Sequence, residues 1–214
     1  MIYAIGDSFT YGDELPSQDQ AWPFLLSAKL NLPVINKGRP ATGNTRIVKR
    51  AVNAVLGDAK LLILGWSDCL RQEFADDTGI YDIWAGRNFR AFQNTTHYRI
   101  DMIKYMTAHD VPEYYYVDWL RKIILIQNFC KVKNVPCVMF ISCGANEWHQ
   151  QFAHKHSKLL DEIDQTQFAH PMSDAVAEWT YGTPQGPGGH PLEDGHKIIA
   201  DKIYEHIRNK CRIS

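Results

Sequence analysis

Three short apolar runs lie at residues 2–5, 34–35 and 60–64, and the two segments between them, 20–30 and about 45–56, repeat their apolar residues at helical spacing. Strand, helix, strand, helix, strand in sixty-odd residues leaves few folds open. Each connection is too long for a hairpin and long enough for a right-handed crossover, so the strands should run parallel with helices on both faces of the sheet. The run at 60–64, Lys-Leu-Leu-Ile-Leu, is continuously apolar after its first residue, as a strand covered on both faces must be. Pro23 suits the first turn of the first helix, which Asn31-Leu-Pro ends. Ile47, Val48, Ala51, Val52 and Val55 form one face of the second, which Gly57-Asp58 stops.

The later half continues the pattern. A long helix over 113–133, apolar on more than one side, is closed by Asn134-Val-Pro136, and Cys-Val-Met-Phe-Ile at 137–141 reads as a fourth strand. Residues 145–180 are amphipathic and irregular, consistent with two short helices, and 191–209 form a last helix. Between 71 and 111 the rhythm breaks: Phe74, Tyr81, Trp84, Phe89, Phe92, Tyr98 and Tyr105 lie among polar residues without clean periodicity until about Tyr98. This stretch is either an insertion whose aromatics, Tyr81 and Trp84 first, wall a substrate pocket, or an outer layer with its own small core. The predicted fold is a flavodoxin-like three-layer α/β/α sandwich with a mostly parallel sheet. At 214 residues and 45% apolar content, one domain over 1–214 can bury one good core.

Charge and cysteine content narrow the function. A formal net charge of −1 without a like-charge run indicates neither a nucleic-acid footprint nor a membrane-surface patch. The first strand begins at once, leaving no room for a secretory n- and h-region, and no apolar run reaches membrane-spanning length, so a cytoplasmic protein is expected. Cys69, Cys130, Cys137, Cys143 and Cys211 are an odd set without Cys-x-x-Cys, which points to free thiols. No cofactor or metal is expected. His149, His154 and His156, near Glu147 and Asp161, do not share a helical face, and no phosphate-loop pattern accompanies the first strand.

The chemistry concentrates at the two ends of the chain. Residues 1–12, Met-Ile-Tyr-Ala-Ile-Gly-Asp-Ser-Phe-Thr-Tyr-Gly, run from an apolar strand into a turn that carries one small hydroxyl, Ser8. A serine just past the C-terminal edge of a strand is lifted from the core with backbone N–H groups around it, a setting for a nucleophile as well as for an ordinary polar turn. Gly6 permits the tight turn and Asp7 can bond its amides. Near the other end, Gly186-Pro-Gly-Gly-His190-Pro-Leu-Glu-Asp-Gly-His196 presents a histidine on a Gly/Pro-rich loop before a helix. His196 itself faces the apolar side of that helix and reads as a core residue.

The pairing of Gly-Asp-Ser with a late His-Pro resembles the SGNH hydrolase family, or GDSL-type esterases, and two intermediate blocks stand in the same order. The resemblance implies Ser8 as nucleophile and His190 as base. It implies an oxyanion hole made by the N–H groups of Ser8 and Gly43, within Thr42-Gly43-Asn44, and by the third block. There the family has Gly-x-Asn-Asp; this chain has Gly65-Trp66-Ser67-Asp68, with Ser67 in place of the amide donor and Asp68, like Asp7, assigned to loop structure. The family's Asp three residues before the histidine is Pro187 here. His190 is then oriented by a backbone carbonyl or by Asp174, Glu178 or Asp194. The Gly-Pro-Gly-Gly-His-Pro form of the last block looks like that of compact members encoded by bacterial viruses. Two function classes follow: a serine esterase acting on a small ester, an acylated carbohydrate first among them, or an SGNH-like module that binds glycan or protein without turnover.

Overall fold

The computed structural model describes residues 1–76, 79–84 and 112–210, with side chains described for 1–73 and 112–210. Four strands, β1 (Ile2–Ile5), β2 (Val34–Asn36), β3 (Leu61–Trp66) and β6 (Cys137–Ile141), form a parallel sheet in the order β2-β1-β3-β6. Helices cover both faces, as expected of a flavodoxin-like α/β sandwich. The chain leaves β1 for the β2 side and returns past β1 to β3, which puts the topological switch between the C-terminal ends of β1 and β3.

The two faces follow from alternation along buried strands. Leu61 and Ile63, with Ile2, Ala4, Val138 and Phe140, pack under α2 (Trp22–Leu30) and the last helix, α8 (Glu193–Lys210). Leu62, Leu64 and Trp66, with Ile5, Met139 and Ile141, face α3 (Asn44–Leu56) and α4 (Pro112–Val132). α4 buries a single stripe, Tyr116, Trp119, Leu120, Ile123, Ile126 and Cys130. Tyr115, Val117, Ile124 and Phe129 flank that stripe, partly buried against the same core, while Tyr114, Leu125 and Val132 are exposed.

The expected irregular stretch after residue 70 begins with regular structure. β4 (Arg71–Asp76) and β5 (Gly79–Trp84) pair antiparallel, with Arg71 opposite Trp84 and Asp76 opposite Gly79. Glu73 of β4 joins the hairpin to α3 through Arg46 Nε at 3.2 Å and through Lys49. The side chains of Tyr81 and Trp84, and residues 85–111, lie outside the described residues. Between Ala145 and Trp179 the two expected helices are three, α5 (Ala145–Phe152), α6 (Ser157–Asp161) and α7 (Val176–Trp179), with 3-10 turns at 153–155 and 165–167 between them. Cys69, Cys130, Cys137 and Cys143 are free thiols. Among the described residues no helix is long and apolar enough to cross a membrane.

Candidate active site

β1 ends at Ile5 and turns through Gly6 and Asp7 into α1 (Ser8–Tyr11), one turn of helix. Gly6 has no room for a side chain: a Cβ there would stand 2.2 Å from Thr10 Oγ1. Asp7 caps α1, its Oδ1 accepting from the Phe9 N–H at 3.1 Å. Ser8 is thereby fixed as the first helical residue at the C-terminal end of β1, and it is buried. Its own N–H bonds to none of the described residues.

The carboxylate that meets the histidine comes from the N-terminal end of the chain. Gly12 closes α1 in the left-handed region, and two residues later Glu14 also has a φ of 67°, a conformation a side-chain-bearing residue holds only when its surroundings fix it. Glu14 Oε1 accepts from the Gly188 N–H at 2.7 Å, and Oε2 accepts from the His190 N–H at 3.2 Å and lies 2.8 Å from His190 Nδ1. The glycines make this approach possible, since a Cβ at Gly186 or Gly188 would come within 2.6 Å or 3.0 Å of the same carboxylate. The Gly188 N–H, assisted by His190 and opposed by partial burial, holds the Glu14 carboxyl below the ordinary glutamate range. A carboxylate only accepts, so Nδ1 carries the proton of this contact, and Nε2 is left as the basic nitrogen.

None of the three carboxylates expected to orient His190 does so. Asp174 accepts from the Ser173 hydroxyl and lies 3.9 Å from His170. Glu178 accepts from Asn146 Nδ2 at 3.0 Å and from the Ala175 N–H at 2.7 Å, and Asp194 holds Lys197. All three sit within 20 residues of His190 in sequence but are bonded to other groups, whereas Glu14 is brought in by the β1 crossover. Ser8 and His190 share no hydrogen bond. Phe9, the next residue of α1, lies against the imidazole, with ring centroids 5.2 Å apart.

The third block is also arranged differently from expectation. Ser67 is fully buried, and its hydroxyl faces Asp7 and the Cys143 thiol, with Oγ and Sγ 4.0 Å apart. It is directed into the floor of the site. The amide in this region belongs to Asn44, the first residue of α3. Asn44 Nδ2 donates to the carbonyls of Ser67 at 3.0 Å and Asp68 at 3.1 Å, and Oδ1 accepts from the Ser67 N–H at 3.0 Å. Gly43 is the cap of α3 immediately before it.

Asn44→Ala is therefore expected to strand three buried backbone groups and cost about 3 kcal/mol, a fall of roughly 10 °C in melting temperature for a domain of this size. Calorimetry checks it. An unchanged melting temperature would show that water or a neighbour replaces the amide at no cost.

Beneath the site Asp7 is wholly buried. Burial raises its pKa, while the Arg71 guanidinium, the Phe9 N–H, the Cys143 thiol and the Ser67 hydroxyl pull it down. Arg71 Nη1 is 3.7 Å from Asp7 Oδ2, and the Cys143 thiol donates to that oxygen at 3.4 Å. Burial and the nearby Asp7 push the Cys143 thiol up to about 12, so it is a proton donor and not a thiolate. Asp68 accepts from the Leu70 N–H at 2.8 Å and from Trp148 Nε1 at 3.1 Å, a structural role as expected. His196 is buried, its Nδ1 accepting from the Trp22 N–H at 3.1 Å, and burial lowers its pKa to about 4. His149 and His156 both lie against the Tyr116 ring, but His149 bonds the Tyr116 hydroxyl and His156 bonds Glu113.

A family model described as a family of unknown function, DUF6071, matches residues 12–214, which include Glu14, Asn44 and His190. The chain belongs to DUF6071. No curated protein matches it. Its DUF6071 fold is similar to that of a protein assigned to the G-D-S-L lipolytic family from Desulfitobacterium hafniense DCB-2, at 14% identity and a TM-score of 0.56 over 96% of this chain and 98% of that one. The psychrotrophic esterase EstA from Pseudoalteromonas sp. matches at 11% identity and a TM-score of 0.58, over 97% and 96%. A two-domain esterase active on acetylated mannans matches at 14% and 0.53, over 100% of this chain and 49% of its own. At these identities the likeness is one of fold, and the fold is that of the GDSL/SGNH lipolytic esterases.

Proposed function

We propose that this protein is a serine esterase that hydrolyses a small ester, an acylated carbohydrate in the leading case, through an acyl-serine intermediate. The observation that carries the reading is the contact of Glu14 with His190 Nδ1, on a loop whose imidazole packs against the residue next to Ser8. A histidine held at Nδ1 by a carboxylate, with Nε2 free to take a proton, is the orienting half of a hydrolase triad. Support for a carbohydrate comes from the similar fold of the esterase active on acetylated mannans.

In this reading Ser8 Oγ attacks the ester carbonyl carbon as its proton passes to His190 Nε2. The carbon–oxygen bond to the alcohol then breaks, and the leaving oxygen takes the proton from Nε2. Water, deprotonated by Nε2, attacks the acyl-serine; collapse releases the acid and returns the proton to Ser8. Serine–histidine hydrogen bonds of this kind are often long in a resting site and tighten around the reacting substrate. The Ser8 N–H, with Gly43 at the start of α3, supplies the oxyanion donors; the Ser67 hydroxyl is left out of this role because it faces Asp7. Asp7 and Arg71 support the floor.

The test is covalent. A fluorophosphonate probe is expected to label Ser8, located by peptide mass spectrometry, and His190→Ala should slow the labelling by about two to four orders of magnitude. A wild-type protein that stays unlabelled and releases no acid from aryl or sugar acetates would make the fold a binding module.

A further inference from the structure

Beside α1, around the β2 edge of the sheet, lies a groove of about 1030 Å³, large enough for an oligosaccharide of a few rings. Its lining combines two features. The rings of Tyr11 and Phe24 are exposed in it, and three cations, Lys37, Arg39 and Arg50, stand around it with no carboxylate among the described lining residues. This is a local excess of positive charge in a chain whose net charge is −1. Lys37 and Arg39 form no ion pair with any described residue, so their charge is not spent within the fold. Asp58 stands behind the lining residue Tyr3, whose hydroxyl it accepts from at 2.6 Å, and is not itself among the lining residues.

The groove is built into the fold and coupled to the candidate active site. Arg50 Nη1 donates to the Lys37 carbonyl at 3.2 Å and to Thr42 Oγ1 at 3.3 Å, which holds the 37–42 loop in place. Asn36 Nδ2 donates to the Thr10 carbonyl at 2.9 Å, and the Arg39 N–H to the Gly6 carbonyl at 3.1 Å. Gly38 lies so close to α1 that a Cβ there would stand 2.4 Å from the Tyr11 nitrogen. Ser8 and Tyr11 are opposite ends of that same helical turn.

We infer that this groove binds an oligosaccharide carrying negatively charged groups, carboxylate or sulfate, and presents it to Ser8. The aromatic faces give apolar contact for the C–H face of a sugar ring, and arginine matches a carboxylate or sulfate in two-point geometry. One-signed charge in a groove also concentrates an anionic ligand. A polynucleotide fits less well, because it needs a track of phosphate contacts longer than this cluster of three cations. Naming the glycan as substrate rests on the esterase reading; its binding does not.

The test uses the Ser8→Ala protein, which binds without turnover, titrated calorimetrically with trigalacturonate, a sulfated heparin disaccharide and neutral maltotriose. At least one anionic probe is expected to bind, with affinity that falls as salt is raised, and maltotriose at least about tenfold more weakly. Which anionic probe binds better distinguishes a carboxylate ligand from a sulfate one. The double variant Lys37→Gln, Arg39→Gln should weaken that binding by about tenfold or more. Binding of neither anionic probe, equal affinity for maltotriose, or indifference to the double variant would each overturn the inference. Charge-dependent binding by a protein whose Ser8 resists fluorophosphonate would sink the esterase reading and leave the groove standing. A labelled Ser8 without anion binding would do the reverse.

Discussion

Ser8→Ala is expected to lower kcat on aryl or sugar acetates by roughly a millionfold, the scale seen when the nucleophile of a serine hydrolase is removed, and to leave the melting temperature almost unchanged. The two halves of this result depend on different features. Ser8 is lifted to the C-terminal end of β1 by Gly6 and Asp7, and its hydroxyl makes no hydrogen bond to a described residue. Removing it therefore costs the fold little. The cap and the glycine that build the turn are untouched, so Asp7 still bonds the Phe9 N–H. If the hydroxyl is the attacking group, every downstream step is lost with it. A variant that keeps a substantial fraction of wild-type kcat would mean that Ser8 is a turn residue, and a marked loss of melting temperature would mean that its contribution is to packing.

The sheet was legible because its strands are of the fully covered kind. Residues 137–141 and 2–5 are bounded in the sequence as they are in the structure, since a continuous apolar run between polar stops leaves little freedom in where a strand begins. The hairpin at Arg71–Trp84 was not read from the sequence: its strands mix charged and apolar residues, and what defines them is the pairing of one with the other. The only local signal was the turn-forming Asp-Asp-Thr-Gly at 76–79. The apolar surface of α4 is wider than its buried stripe. Leu125 and Val132 raise the apolar count of that helix, yet among the described residues they are exposed, and sequence does not say which faces find partners.

In the candidate site the same divide holds. Ser8 and His190 stood out because each lies in a short turn of unusual composition. Glu14 carries no such mark, since its role comes from a contact across 176 residues, whereas sequence proximity points to the acids near His190. The glycine run at 186–189 was the usable signal. A loop so poor in side chains is one that something must approach closely, and what approaches is the Glu14 carboxylate. Ser67 was placed by analogy with an amide donor, but a short hydroxyl deep in the floor finds Asp7 and Cys143 first.

Glu14→Gln separates positioning of the histidine from anchoring of its loop. The glutamine keeps an oxygen for the Gly188 N–H, so the loop should stay in place. Its amide N–H₂, turned towards His190 Nδ1, would favour the tautomer with the proton on Nε2, which cannot act as a base. A fall in kcat of about 10⁴-fold is expected, as for the corresponding aspartate-to-asparagine change in a serine protease triad. Fluorophosphonate labelling of Ser8 should slow in parallel, a readout that loss of a loop anchor alone would not move. Stability supplies the second arm. The carboxyl is held below its ordinary range in the folded protein, so its contribution is fully present above the unfolded value and disappears as pH falls through the lower folded value. The melting-temperature gap between wild type and Glu14→Gln should accordingly be constant at neutral pH, begin to narrow as pH falls through the ordinary glutamate range, and close in stronger acid, below the lowered folded value. Full activity in Glu14→Gln would reduce Glu14 to a loop anchor and leave His190 without an orienting partner; a stability gap that closes near neutral pH would show that another group sets it.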